Sequence, residues 1–386
     1  MNVQPIRTIA FATLLLLSHN QFGILFNGQA TAAETLCDNN FCACEPHSRI
    51  REHIAPSMFG DGGLVIPRAL VLQGGLQLVV QNHAYKISEN NSVLPQDRVG
   101  FNFNAMQDVY NGISDRLVSD NIYEYRFFLE ETFMDGRLSF ELMVPFYSTS
   151  SYSPDPLVSV NRGPAIENEF GDIAFGLKAL VHETHSSACS IGLRVEVPTG
   201  AEVKADPALN GAGYIASLDD DVWNFTPYLG YFAMPTERTY LQAFTGYRLT
   251  STSVDEIENP LSIREQSYFT ADLALGCWLY RNSDASFLTS VIPSIELHYT
   301  GAWDTESANR PGLGPANTIS NLIYGHSDRL SLTAGCSAVT KSGWEAGLGV
   351  AVPLRTNDAN FSGFTVPSDR AYDWSLLARI TYHFGP

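Results

Sequence analysis

The stretch that most constrains this chain is its last, Tyr372-Asp-Trp-Ser-Leu-Leu-Ala-Arg-Ile-Thr-Tyr-His-Phe384. A strand sends successive side chains to opposite faces. Here Trp374, Leu376, Ala378, Ile380, Tyr382 and Phe384 form one apolar row, while Asp373, Ser375, Arg379, Thr381 and His383 fall mainly on the other. Aromatic residues close the oily row at both ends. A strand rising about 3.3 Å per residue and tilted about 40° covers roughly 25 Å of membrane normal from Trp374 to Phe384, the height of the apolar band on a transmembrane barrel.

The beginning of the chain agrees with that destination. Residues 1–33 read as a secretion signal: Arg7 gives a weakly basic start, Ile9 to Leu17 the apolar stretch, and Ala30-Thr31-Ala32 a small-residue cleavage site. The apolar run is far short of the ~20 residues a spanning helix needs, so any membrane crossing must be by strands. Cys37 lacks the small-residue site of a lipoprotein before it.

Only 17% of residues are charged, yet mean hydropathy is near zero. An oily exterior offset by a polar lumen and polar loops produces that average. A net charge of -18 excludes nucleic acid as a partner class and suits a solvated surface. Cys37, Cys42 and Cys44 cluster in a spacing that is poor for zinc, and one disulfide within the cluster fits an oxidising periplasm. Cys189, Cys277 and Cys336 fall on apolar strand faces as small apolar residues.

Period-two alternation predicts about twelve strands, within a range of ten to fourteen, at approximately 99–109, 121–133, 137–148, 170–182, 188–198, 222–233, 239–250, 266–280, 287–300, 328–338, 343–354 and 372–384. Tight connections such as Met134-Asp-Gly-Arg137 and Lys341-Ser342 alternate with long loops rich in Pro and Gly. Outer-membrane barrels sort short periplasmic turns from long outer loops in this way, whereas a soluble sandwich need not. The expected fold is all-β: a transmembrane antiparallel up-and-down β-barrel over 98–386. Residues 34–97 alternate less cleanly and form a periplasmic or luminal segment, with a plug inside the barrel as one of the two readings.

Several pieces resemble a large family of planctomycete outer-membrane proteins. They include Lys86-Ile-Ser-Glu-Asn-Asn-Ser-Val-Leu-Pro-Gln-Asp-Arg-Val99, Glu130-Glu-Thr-Phe-Met-Asp-Gly136, Val195-Glu-Val-Pro-Thr-Gly200 and Gly276-Cys-Trp-Leu-Tyr-Arg-Asn282. The resemblance keeps the order of the pieces from about residue 58 to 384. It implies one outer-membrane barrel, channel- or transporter-like and mostly of unassigned function, and carries no catalytic set. The cysteine cluster and the Gly385-Pro386 ending depart from that pattern.

The inward row gives the solute-path candidates Glu124, Arg126, Glu141, Asp172, Lys178, Arg194, Glu196, Asp272, Glu296 and Arg379, with Glu130, His298 and Glu345 beside them. These charges either select solute in a polar channel or fill a narrow barrel as an ion-pair network. Asp219-Asp220-Asp221 reads as a solvated loop, since adjacent acids cannot all face one calcium ion. His182 and His185 sit three apart in a turn, not at the i, i+4 helix spacing of a zinc site. An outer-membrane hydrolase would need His and Ser together on the lipid side; His298 lies on the polar face with Glu296 and Thr300. His326-Ser327-Asp328 has suitable residue types, but sequence neighbours point apart. The expected function is passive passage of small solutes with no cofactor and no enzymatic activity, favouring cations if acids exceed bases in the lumen. Outer-membrane lipid, small-molecule solutes and the outer-membrane assembly machinery are the expected partners. The competing expectation is a structural or surface-interaction barrel with a sealed lumen.

Overall fold

The computed structural model describes residues 56–71, 77–110, 119–152, 166–200, 203–205, 216–218, 223–251, 267–302, 318–320, 327–361, 364–367 and 369–384. Twelve antiparallel strands close into a barrel. They are β1 Arg98–Tyr110, β2 Ser119–Phe133, β3 Leu138–Tyr152, β4 Ile173–Glu183, β5 Ser187–Val197, β6 Asn224–Ala233, β7 Thr239–Thr250, β8 Tyr268–Cys277, β9 Leu288–Ala302, β10 Ser327–Thr340, β11 Trp344–Pro353 and β12 Trp374–His383. Each pairs with its sequence neighbour, and β12 closes on β1 in register from Trp374↔Gln107 to His383↔Arg98. Closure leaves no unpaired edge, which a lipid environment would penalise heavily.

The alternation read from the sequence is the wall itself. Phe140, Leu177, Ile191, Leu275, Ile295 and Leu348 stand exposed on the outer surface. Glu141, Lys178, Ser190, Ala274, Glu296 and Gly347 alternate with them, and the charged ones are buried inside. Aromatic residues mark both rims: Trp344 packs on Tyr382 at the short-turn end, with ring centroids 5.0 Å apart, and Trp223 stacks beside Phe225 at the long-loop end. The outer faces of β1–β4 add a run of rings, including Phe101–Phe127 at 5.0 Å and Phe103–Tyr125 at 5.3 Å. Neighbouring aromatic pairs of this kind stabilise a sheet beyond their buried area.

The short turn after β2 is left-handed, a backbone that Asp135 and Gly136 suit and Met134 does not favour. Met134 and Asp135 both take positive φ, followed by Gly136, and Arg137 N–H closes the turn on Met134 O at 3.2 Å. Differences from the expected spans are confined to strand ends. β3 continues to Tyr152, where Ile166–Phe170 pairs with it, and the eighth strand stops at Cys277 before a separate pair of residues, Tyr280–Arg281, on β9.

Before the barrel, Leu64–Val71 and Gln77–Ala84 form a hairpin, and Thr318–Ser320 of the β9–β10 loop adds a third strand. The cysteine cluster and Asp219 to Asp221 lie outside the described residues.

Candidate functional site: the barrel interior

Two passes of the chain run through the barrel. The first, 56–63, starts beside Arg98 at the short-turn end, where Arg98 Nη1 donates to Ser57 Oγ at 2.5 Å. It reaches the long-loop end at Gly62, close to Met106 and Ser375. The hairpin 64–84 follows. The second pass begins at Tyr85, whose hydroxyl is 3.2 Å from that of Tyr147, and descends to Asp97, which accepts the Thr132 N–H at 2.6 Å. Met58, Phe59, Ile87, Val93 and Ser88 to Asn91 are all buried. This segment is the core of the barrel.

The wall meets the plug with two kinds of surface. An apolar patch is built by Tyr228, Phe232, Tyr240, Phe244, Trp278 and Ile292, which pack with Met58, Ile87, Val93 and Leu94. Charged contacts stand on β2, β5, β9 and β12. Arg126 reaches Glu89 at 2.8 Å and also pairs with Glu124. Arg194 donates to Lys86 O at 2.9 Å and to Glu141 at 3.1 Å. Glu296 accepts the N–H groups of Phe59 at 2.8 Å and Gly60 at 3.0 Å. Arg379 donates to the carbonyls of Ser57 and Met58, to Ser337, and pairs with Glu345 at 2.8 Å. Within the plug, Lys86 and Asp61 form an ion pair at 2.7 Å.

Wall residues also pair among themselves. Glu130 holds Arg98 and Lys178 at 2.7 and 2.9 Å, and Glu196 holds Arg248 at 2.9 Å. His298 is enclosed between Asp272 at 2.8 Å and Glu296 at 3.2 Å. Glycines on the wall make room for rings of both the plug and the wall. A Cβ on Gly335 would lie 2.4 Å from Phe59 Cε2, so the bare backbone there is what lets Phe59 seat. Between plug and seam lies a cavity of about 10 Å³, the size of one water, lined by Phe59, Asn90, Asn102, Arg126 and Arg379 among others.

Of the ten solute-path candidates, Glu124, Arg126, Glu141, Lys178, Arg194, Glu196, Asp272, Glu296 and Arg379 lie buried in this interior. Asp172 does not. It stands at the start of β4, half-buried, and its Oδ1 accepts the N–H groups of Thr199 and Gly200 at 3.0 and 2.8 Å. Strict alternation fails there because the chain is already turning. The cation preference also needs correction. Among the described residues, the buried strand wall carries seven acids (Glu124, Glu130, Glu141, Glu196, Asp272, Glu296, Glu345) against seven bases (Arg98, Arg126, Lys178, Arg194, Arg248, Arg329, Arg379), with His298 besides. The acidic excess of the chain therefore lies elsewhere.

Plug residues are what alternation could not find. The run Ser88-Glu-Asn-Asn-Ser92 has the polarity of a solvated loop. His182 and His185 are exposed, and no group of three or more potential metal ligands occurs among the described residues.

A family model described as "Putative MetA-pathway of phenol degradation" matches residues 88–284. Among solved structures, an outer membrane channel from Pseudomonas putida F1 aligns at 14% identity over 75% of this chain and 97% of its own, with a TM-score of 0.48. The beta domain of the Bordetella autotransporter BrkA aligns at 15% identity over 75% and 100%, with a TM-score of 0.42. The KdgM porin aligns at 11% over 75% and 99%, with a TM-score of 0.37. No curated protein matches the sequence.

Proposed function

The chain belongs to the family described as "Putative MetA-pathway of phenol degradation", and we propose that it is an outer-membrane channel for small solutes, held shut by its own residues 56–63 and 85–97. The carrying observation is the chemistry of the contact between plug and wall. Arg126, Arg194, Glu296 and Arg379 all reach across it to polar partners. A permanent seal has no need of such groups, because apolar packing in place of buried ion pairs is often neutral or stabilising by about 1–4 kcal/mol. Charges on both faces suit a contact that separates, since each face is then compatible with water. With the plug displaced, the wall would line a polar path along which solutes move down their gradient. The balance of wall acids and bases argues for weak charge selectivity.

Placement in the outer membrane rests on the apolar belt, the aromatic rims and the strand pieces resembling planctomycete barrels. Outer-membrane lipid would cover the belt, and the assembly machinery would insert it. We assign no catalytic role to His298, whose ring nitrogens are both engaged by carboxylates.

A second reading has its own observation: the plug is buried from Met58 to Asp61 and from Tyr85 to Leu94, as in a structural barrel that never opens. Planar-bilayer conductance separates the two. Stepwise conductance of the intact protein supports the channel. Conductance only after deleting residues 45–95, or in neither form, supports the structural barrel that never opens.

A further inference from the structure

First and last strands meet in one seam, and residues 57–62 run along its inner side touching both. From β1, Arg98 donates to Ser57 Oγ at 2.5 Å. From β12, Arg379 donates to Ser57 O and, at 3.1 Å, to Met58 O. Its guanidinium also lies 4.2 Å from the centre of the Phe59 ring. At Gly62, a Cβ would be 3.2 Å from Ser375 Oγ on β12 and 3.5 Å from Met106 Cγ on β1. Just before β12, the Tyr372 hydroxyl donates to Asp61 O. Arg98 and Arg379 are both cations, and Ser57 supplies acceptors to each, so one residue of the plug bridges two like-charged strands.

We propose that residues 57–62 are an internal clasp that aligns the last strand on the first, so that the barrel closes around its plug rather than being plugged afterwards. Pairing the two ends of a long chain is entropically the slowest contact, because loop closure must be met before pairing rewards it. The plug shortens that search. Its second pass runs directly into β1, so it can stand beside the first strand before β12 exists. The arriving strand then finds an edge already carrying carbonyl acceptors and an aromatic face, not a bare edge. Late insertion is also sterically poor, since the hairpin 64–84 would have to pass from the short-turn end through a closed lumen. This inference does not rest on the channel reading.

The test is refolding of the full chain from urea into detergent or lipid vesicles, followed by the heat-modifiable shift in gel mobility. Ser57→Ala and Arg379→Met weaken the clasp, Ser57→Ala being mild enough to leave a folded product. Gln242→Ala is the comparison: Gln242 lies away from the seam and donates to Asn91 O at 3.2 Å. The clasp predicts that the seam variants slow folding roughly tenfold, while Gln242→Ala mainly speeds unfolding. If the seam variants fold at the wild-type rate and only unfold faster, or if Gln242→Ala slows folding equally, the proposal is wrong.

Discussion

Glu296 on β9 holds Phe59 through its backbone: Oε1 accepts the Phe59 N–H at 2.8 Å while Oε2 takes that of Gly60 at 3.0 Å. A carboxylate gripping two consecutive amides makes charge-assisted bonds at a point where Gly60 adopts φ 81. Glu296→Gln turns one acceptor into a donor and removes the negative charge beside His298. The expected loss of plug stability is about 1.5–3 kcal/mol. Amide hydrogen exchange at Phe59 and Gly60 should quicken by roughly ten- to a hundredfold if those amides exchange by local unseating. Unchanged exchange would mean that the carboxylate is not a latch.

Phe59 and Gly335 should behave as a coupled pair. A Cβ at Gly335 would sit 2.4 Å from the Phe59 ring, so Gly335→Ala should unseat the ring and raise channel opening. Phe59→Ala in the same chain removes the clash. The double variant should be closer to wild type in stability than the sum of the two single changes predicts, as urea titration would show.

Damage by arginine should depend on face in a specific way. Phe140→Arg and Leu348→Arg put a charge on the lipid side and should cost about 2–4 kcal/mol near the bilayer midplane. Their inward neighbours are no safer. Ser139 is 1% exposed and donates to Glu130 at 2.7 Å, and a Cβ on Gly347 would already be 2.9 Å from the Phe59 ring. Ser139→Arg and Gly347→Arg should therefore fold poorly, through overpacking rather than lipid exposure. A luminal change tolerated without loss of heat-modifiable mobility would argue that the interior is roomy.

The wall was legible because its physics is local. Phe140, Leu142 and Phe146 oppose Ser139 and Glu141 in a period of two that a barrel strand imposes on every residue. Turn and loop lengths ordered the strands without any structure. The interior was legible only in half. Nine of the ten candidates point inward because alternation says so, but alternation cannot say what they meet. Ser88-Glu-Asn-Asn-Ser92 is polar and lacks a period, and it becomes core only because a charged wall surrounds it. Leu377 shows the same limit: it breaks the polar row of β12, and its reason is Phe59, with which it packs. The periplasmic and luminal readings of the leading segment could not be separated by its own residues, since the partners that decide between them are hundreds of positions away.

The central claim, that the plug must move for the channel to open, is tested by tethering it. An ideal Cβ at Gly62 lies 3.5 Å from Ser375 Cβ, within disulfide range. Gly62→Cys with Ser375→Cys, in a chain whose six native cysteines are changed to alanine, gives a lock that can be closed and opened in one protein. Gly62 takes φ 87, where a side chain is strained, so Gly62→Cys alone is recorded beside it as the reference. Single-channel recording before and after reduction is the decisive measurement. The account predicts no stepwise conductance in the oxidised form and recovery of conductance on adding a reductant. Equal conductance in both forms would contradict it.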